Sequence, residues 1–217
     1  MAGGFAPDGA RGPVRADVST VVAEAASARA VRTLERCSTA VVGAQECGGG
    51  EACEDALWRI RSSVLRERLL ALEGYEDRVD LGSLLSRHAT AAALASPTIR
   101  RLFSSVPTLE VPAGDARLVV LLIDELVGVL EDCAPSRARV ALRVEAFPII
   151  GGHRLVLAVA GSGRGMTVVP RGAALDVLSR AGRVAEALSG AVVRSVERRT
   201  MVLRATLFVG AVEERAA

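Results

Sequence analysis

Between Asp17 and Gly74 the apolar residues return every three to four positions, and "CGGGE" at 47–51 breaks the pattern. That spacing is the period of a helix, and two such runs on either side of a glycine turn can bury their stripes in few ways. Val18, Val21, Val22, Ala25, Ala28, Val31, Leu34, Val41 and Val42 line the first run, with Asp17 placed to cap it. Leu57, Ile60, Val64, Leu65, Leu69 and Leu72 line the second, which runs from about Ala52 to Gly74. Two long helices joined by a short turn form an antiparallel hairpin. One hairpin leaves part of its stripe in water, so a two-fold dimer making a four-helix bundle is expected.

Beyond the hairpin the texture changes. A helix of about 80–95 leads into a short strand, "TLEVP", and then into "ARLVVLLIDELVGVLEDC", a helix apolar on most sides and hence buried. "ARVALRVEAF" alternates, with Val140, Leu142, Val144 and Ala146 on one face and Arg139, Arg143 and Glu145 among the residues opposite. "PIIGGH" turns the chain, and "RLVLAVA" returns as a more fully buried strand. A helix at about 172–189, ended by Gly190, and two strands, "AVVRSVE" and "TMVLRATLFVG", close the sequence. The expected fold class is α+β: the helical hairpin followed by an α/β two-layer sandwich with helices on one face of a sheet. Residues 1–15 read as a disordered tail, 16–78 as the hairpin domain and 79–217 as the sandwich.

Composition narrows the function classes. The formal charge is +2, and the arginines are interspersed with Asp and Glu without stacking aromatics, so no nucleic-acid partner is expected. No apolar run approaches the ~20 residues of a membrane span. The N-terminus lacks the apolar core of a signal peptide, which places the protein in the cytoplasm. All 27 basic residues are arginine, and the chain holds neither lysine nor asparagine, so a motif that needs Asn cannot be met. Cys37, Cys47, Cys53 and Cys133 show neither CxxC spacing nor histidine support and read as free thiols or small core residues, not metal ligands. His88 and His153 are expected as solvated surface histidines.

Three stretches carry a resemblance. "RLLALEGYEDRVDLGSLL" is similar to the junction between hairpin and catalytic domain of bacterial sensor histidine kinases of the soluble two-component type. "LLIDELVGVLEDC" is similar to their N-box, in which Glu-Leu is followed by Asn-Ala and then His. "LVLAVAGSGRGM" is similar to their G1 box, in which a strand ends in Asp, a polar residue, Gly, any residue, Gly. The resemblance implies a dimerisation and phosphotransfer hairpin followed by a histidine-kinase-like ATPase domain.

Carried over residue by residue, the implied site is hollow. Glu125 matches the N-box acid, which in the family helps position water and metal near the phosphates. The magnesium-holding Asn falls on Val129, which offers no oxygen to a hard cation, and the box's His falls on Cys133. Asp132, one turn further, reads as a solvated helix-end carboxylate. Gly163 and Gly165 match the G1 glycines, whereas the adenine-binding Asp falls on Gly161. Losing that contact costs on the order of 1.5–3 kcal/mol. In "SARAVRTL" Arg29 and Leu34 match the phosphoacceptor motif, but its histidine falls on Ala28. A structural alternative stands beside this: "GSGRG" as a plain tight turn, and Glu125 paired with an arginine such as Arg117 or Arg143.

The expected function is a catalytically degenerate, dimeric adaptor or pseudokinase. It would bind no cofactor and would dock a response-regulator receiver domain or another histidine kinase around Ala28, Arg29 and Arg32. The alternative is a divergent but active kinase or phosphotransfer protein that uses ATP and magnesium.

Overall fold

A computed structural model of the chain describes residues 18–46, 50, 77–95, 99–105, 107–133, 138–163, 170, 172–197 and 200–210, with Cys53, Ala56, Leu57, Ile60, Arg61, Ser63 and Val64. The proposed tail, the Asp17 cap and the end of the second hairpin arm lie outside them. Helix α1 spans Val18–Glu46. At the glycine break Gly50 has a φ of 71°, and its carbonyl accepts the Cys53 N–H at 3.1 Å. Only glycine takes that backbone region without strain. The described positions from Cys53 to Val64 are helical.

The elements that follow are β1 (Arg78–Asp80), α2 (Leu81–Ala95), β2 (Ile99–Ser105), β3 (Glu110–Pro112), α3 (Ala113–Cys133) and β4 (Ala138–Ile149). After them come β5 (Gly152–Ser162), α4 (Ala173–Ala187), β6 (Ala191–Glu197) and β7 (Thr200–Val209). Five strands form one sheet in the order β2-β4-β5-β7-β6, and β1 pairs with β3 in a separate two-stranded ribbon. Within the sheet β2 runs parallel to β4, while β4–β5, β5–β7 and β7–β6 are antiparallel.

Two elements differ from the sequence reading. The helix expected over about 80–95 runs from Leu81 to Ala95; Arg78–Asp80, which the sequence reading leaves unassigned, form a short strand, and its last residue, Asp80, caps the helix. Its Oδ1 accepts the N–H groups of Gly82 and Leu109, each at 3.1 Å, and its Oδ2 accepts that of Ser83 at 3.2 Å. One carboxylate thereby satisfies the first turn of α2 and ties it to the approach to β3. The second difference is β2, which the sequence reading leaves out. It lies at one edge of the sheet and joins β4 in parallel through the β3–α3 crossover.

The core lies between the sheet and the helices. Val140, Leu142 and Val144 of β4, Leu155, Leu157 and Val159 of β5, and Leu203, Ala205 and Leu207 of β7 are buried on one face. Against them lie α3, apolar over most of its length, and Val177, Ala181, Val184 and Ala185 of α4. β5 is not buried on both sides. Its outer residues Val156, Ala158 and Ala160 remain partly exposed, since helices cover one face only. Helix α1 lies on α3 and α4 as a further layer, and its Val21 and Ala25 join the same core.

Leu203, fully buried on β7, should lose about 2–5 kcal/mol on substitution by Ala, as lost transfer energy and a cavity add. Arg143, whose side chain is 72% exposed in its pair with Glu145, should change stability by less than about 1 kcal/mol when replaced by Ala. Equilibrium urea unfolding compares the two.

Candidate functional site

Helix α3 carries two consecutive acids, Asp124 and Glu125, in its most buried stretch, exposed by 2% and 1% respectively. Neighbouring positions on a helix point about 100° apart, so the two carboxylates meet different partners. Neither could stay charged there alone, because an isolated carboxylate in an apolar interior costs several kcal/mol or more.

Glu125 faces α1 and α4. The Arg32 guanidinium donates from Nη2 to Oε1 at 2.7 Å and from Nη1 to Oε2 at 3.3 Å. Arg180 donates from Nε to Oε2 at 3.2 Å. Both carboxylate oxygens are therefore engaged by a forked, charge-assisted set of donors. Arg32 sits seven residues beyond Ala25 and eleven beyond Val21, which puts all three on the docked face of α1. Gly128, three residues past Glu125, leaves room between the helices. A Cβ there would stand 3.5 Å from Val177 Cγ1 and 4.0 Å from Arg32 Cζ, already in contact, and a larger side chain would block Arg32.

Asp124 faces α2. Its Oδ1 lies 2.5 Å from His88 Nε2, with both side chains 1% exposed. A charged Asp124 requires Nε2 to carry the proton. The other ring nitrogen, Nδ1, is buried and has no hydrogen-bond partner among the described residues. His88 is thus a core residue, not the surface histidine expected, because it continues the apolar stripe of Leu81, Leu84 and Leu85. His153, on β5, is half-buried.

The other candidate residues scatter over two layers. Val129, one turn past Glu125, is fully buried among apolar side chains. Gly161 is buried near the end of β5, in register with Val140 and Met201, and Gly163 is half-buried. Gly165 lies outside the described residues. Ala28 and Arg29 are half-buried on α1. The partners of Glu125 are Arg32 and Arg180, not Arg117 or Arg143; Arg143 pairs with Glu145 at 2.6 Å. Among the described residues, both oxygens of Glu125 accept from guanidinium groups, and Val129 brings no oxygen to the site. Among the described residues no group of three or more His, Cys, Asp or Glu is arranged to hold a metal ion.

Cys133, at the end of α3, is buried, and its thiol pKa is raised, first by burial and then by neighbouring Asp132, with Arg194 pulling the other way. Cys53 is exposed and Cys37 intermediate. Sequence reasoning passed over Asp124 and Arg180. The second had a signal, since it stands one residue before Ala181 and three after Val177 on the buried face of α4.

Two solved structures share this fold. The chain is 15% identical to the histidine kinase domain of the blue-light activated histidine kinase EL346 from Erythrobacter litoralis, over 88% of this chain and 93% of that one, with a TM-score of 0.50. Against a longer structure of that kinase the identity is 16% and the TM-score 0.51, over 92% of this chain. The chain spans 62% of that protein's length. The fold is that of a histidine kinase domain. No protein-family model matches the chain, and no curated protein sequence matches it significantly. Among the described residues no helix is long and apolar enough to cross a membrane.

Replacing His88 with Ala takes the imidazole from a carboxylate that stays buried and should cost about 3–5 kcal/mol of stability. Glu125→Ala leaves two arginines that already reach water, at 18% and 21% exposure, and should cost less, about 1–3 kcal/mol. Urea titrations of both variants check the order. Cys53 should react with a thiol reagent in the folded protein, whereas Cys133 should react on unfolding. The folded pKa of Cys133 lies above its unfolded value, so its contribution is intact below the ordinary thiol range and lost as pH rises towards the folded value. Urea titrations across that range, on the parent chain and Cys133→Ala, should show the steeper decline in the parent.

Proposed function

We propose that this chain is a histidine-kinase-like signalling protein of a two-component system that works by binding and not by phosphoryl transfer. One observation carries the reading. The acid at the N-box position has both oxygens engaged by Arg32 and Arg180, beside an apolar Val129, and this supports a site that does not take magnesium and phosphate. The missing histidine at Ala28 and the glycine at Gly161 support the same conclusion.

A dimer through the helical hairpin fits the apolar side chains that a single copy leaves in water. Val31 (51%), Leu34 (69%), Val41 and Val42 on α1, with Leu57 and Val64 on the second arm, are exposed. A second hairpin would cover them as a four-helix bundle. The receiver domain, or another kinase, would dock beside Ala28 and Arg29, with Arg32 contributing through its hold on Glu125.

A calorimetric titration with Mg-ATP should give no saturable heat at millimolar nucleotide. Micromolar binding that disappears in Glu125→Ala would establish the active-kinase reading instead. Light scattering should report a dimer. In a pull-down titration with a receiver domain, Arg29→Glu should weaken binding about tenfold, as expected when one charge-assisted contact is lost.

A further inference from the structure

The two arginines on Glu125 differ in what they belong to. Arg180 is part of the helical layer itself, on α4 behind Val177. Arg32 belongs to α1, and it stands where that helix changes character. On its N-terminal side Val21 and Ala25 are buried and Glu24 meets Arg183 at 2.9 Å. On its C-terminal side Leu34, Val41 and Val42 are exposed. Arg32 therefore closes the docked half of α1.

We infer that the Arg32–Glu125 pair is a releasable latch that decides whether the N-terminal helix lies on the helical layer. Three features make release feasible. Val21 and Ala25 are buried in the docked half with Val22 packed beside them, all modest side chains, and the Glu24–Arg183 pair is exposed at both ends (39% and 52%), so it holds α1 less firmly than Arg32 does. Arg32 already reaches water at 18% exposure, which lowers the cost of swinging it out. Above all, Glu125 keeps Arg180 when Arg32 leaves, so opening strands no buried charge. One carboxylate with two cationic partners from different helices is stable both with and without α1. In the open state Oε1 of Glu125 is freed, so a docked α1 and an accessible carboxylate exclude each other. The latch stands independently of the adaptor reading, because it depends on contacts within this chain alone.

Hydrogen exchange of the full chain tests it, with Arg32→Ala, Arg180→Ala and Arg183→Ala compared with the parent. In Arg32→Ala, exchange over residues 18–35 should accelerate about tenfold, the effect of losing a charge-assisted pair, while β5 and β7 keep their protection. Arg183→Ala should change α1 less than about threefold. Arg180→Ala should leave α1 protected, since the fork from Arg32 remains. Unchanged exchange of α1 in Arg32→Ala would overturn the inference. So would loss of protection in the sheet together with α1, or release of α1 by Arg180→Ala to the same extent. If Arg32→Ala does not fold, Arg32→Lys decides. It keeps the charge but loses the fork, and should accelerate α1 exchange at least twofold; no acceleration would refute the latch.

Discussion

Two carboxylates side by side in the interior set the terms for everything packed around α3. A buried acid must bring its hydrogen-bond donors with it, and adjacent positions on a helix bring theirs from different directions. Asp124 therefore ties α3 to α2 through His88, and Glu125 ties it to α4 and α1 through Arg180 and Arg32. Apolar packing supplies most of the stabilisation, but it is non-directional. The polar pairs fix which residue of each helix faces α3. The two knots differ in kind, one sealed from water and one open at its edge.

That difference separates structure from function within a single helical turn. The His88–Asp124 contact has no route to solvent and serves packing. The Glu125 cluster lies at the rim, where the carboxylate is held by two arginines that themselves reach water. The chain has the fold of a histidine kinase domain, and the central carboxylate of α3 holds helices together within it.

Much of the fold was legible because its periods are clean. β4, β6 and β7 emerge from alternation, and α3 and α4 from their apolar stripes, with ends within a few residues of those observed. β2 escaped because "TIRRLFSS" sits at an edge and is held by a parallel partner that only the folded crossover supplies. The strand at 78–80 escaped because three residues are too few to show alternation, and their partner, 110–112, lies some thirty positions on. At the site, Arg32 and Glu125 were each singled out, one for docking and one for nucleotide, but nothing local joins residues 93 positions apart. His88 could have been placed from the stripe of Leu81, Leu84 and Leu85; being one of two histidines drew attention away from its register.

The sheet has a further property at its β6 edge. β6 is seven residues long, against ten in β7 and eleven in β5, and it offers its outer side no partner within the sheet. Val193 on that strand is 63% exposed, the kind of apolar edge on which foreign strands add. Exposed Arg194 stands beside it, and after Ser195 and the exposed Val196 the sequence runs into Glu197, Arg198 and Arg199. A second strand laid along this edge would align few backbone groups before it met that run of charge. A short edge strand that runs into charged sequence is the arrangement that limits edge-to-edge strand addition.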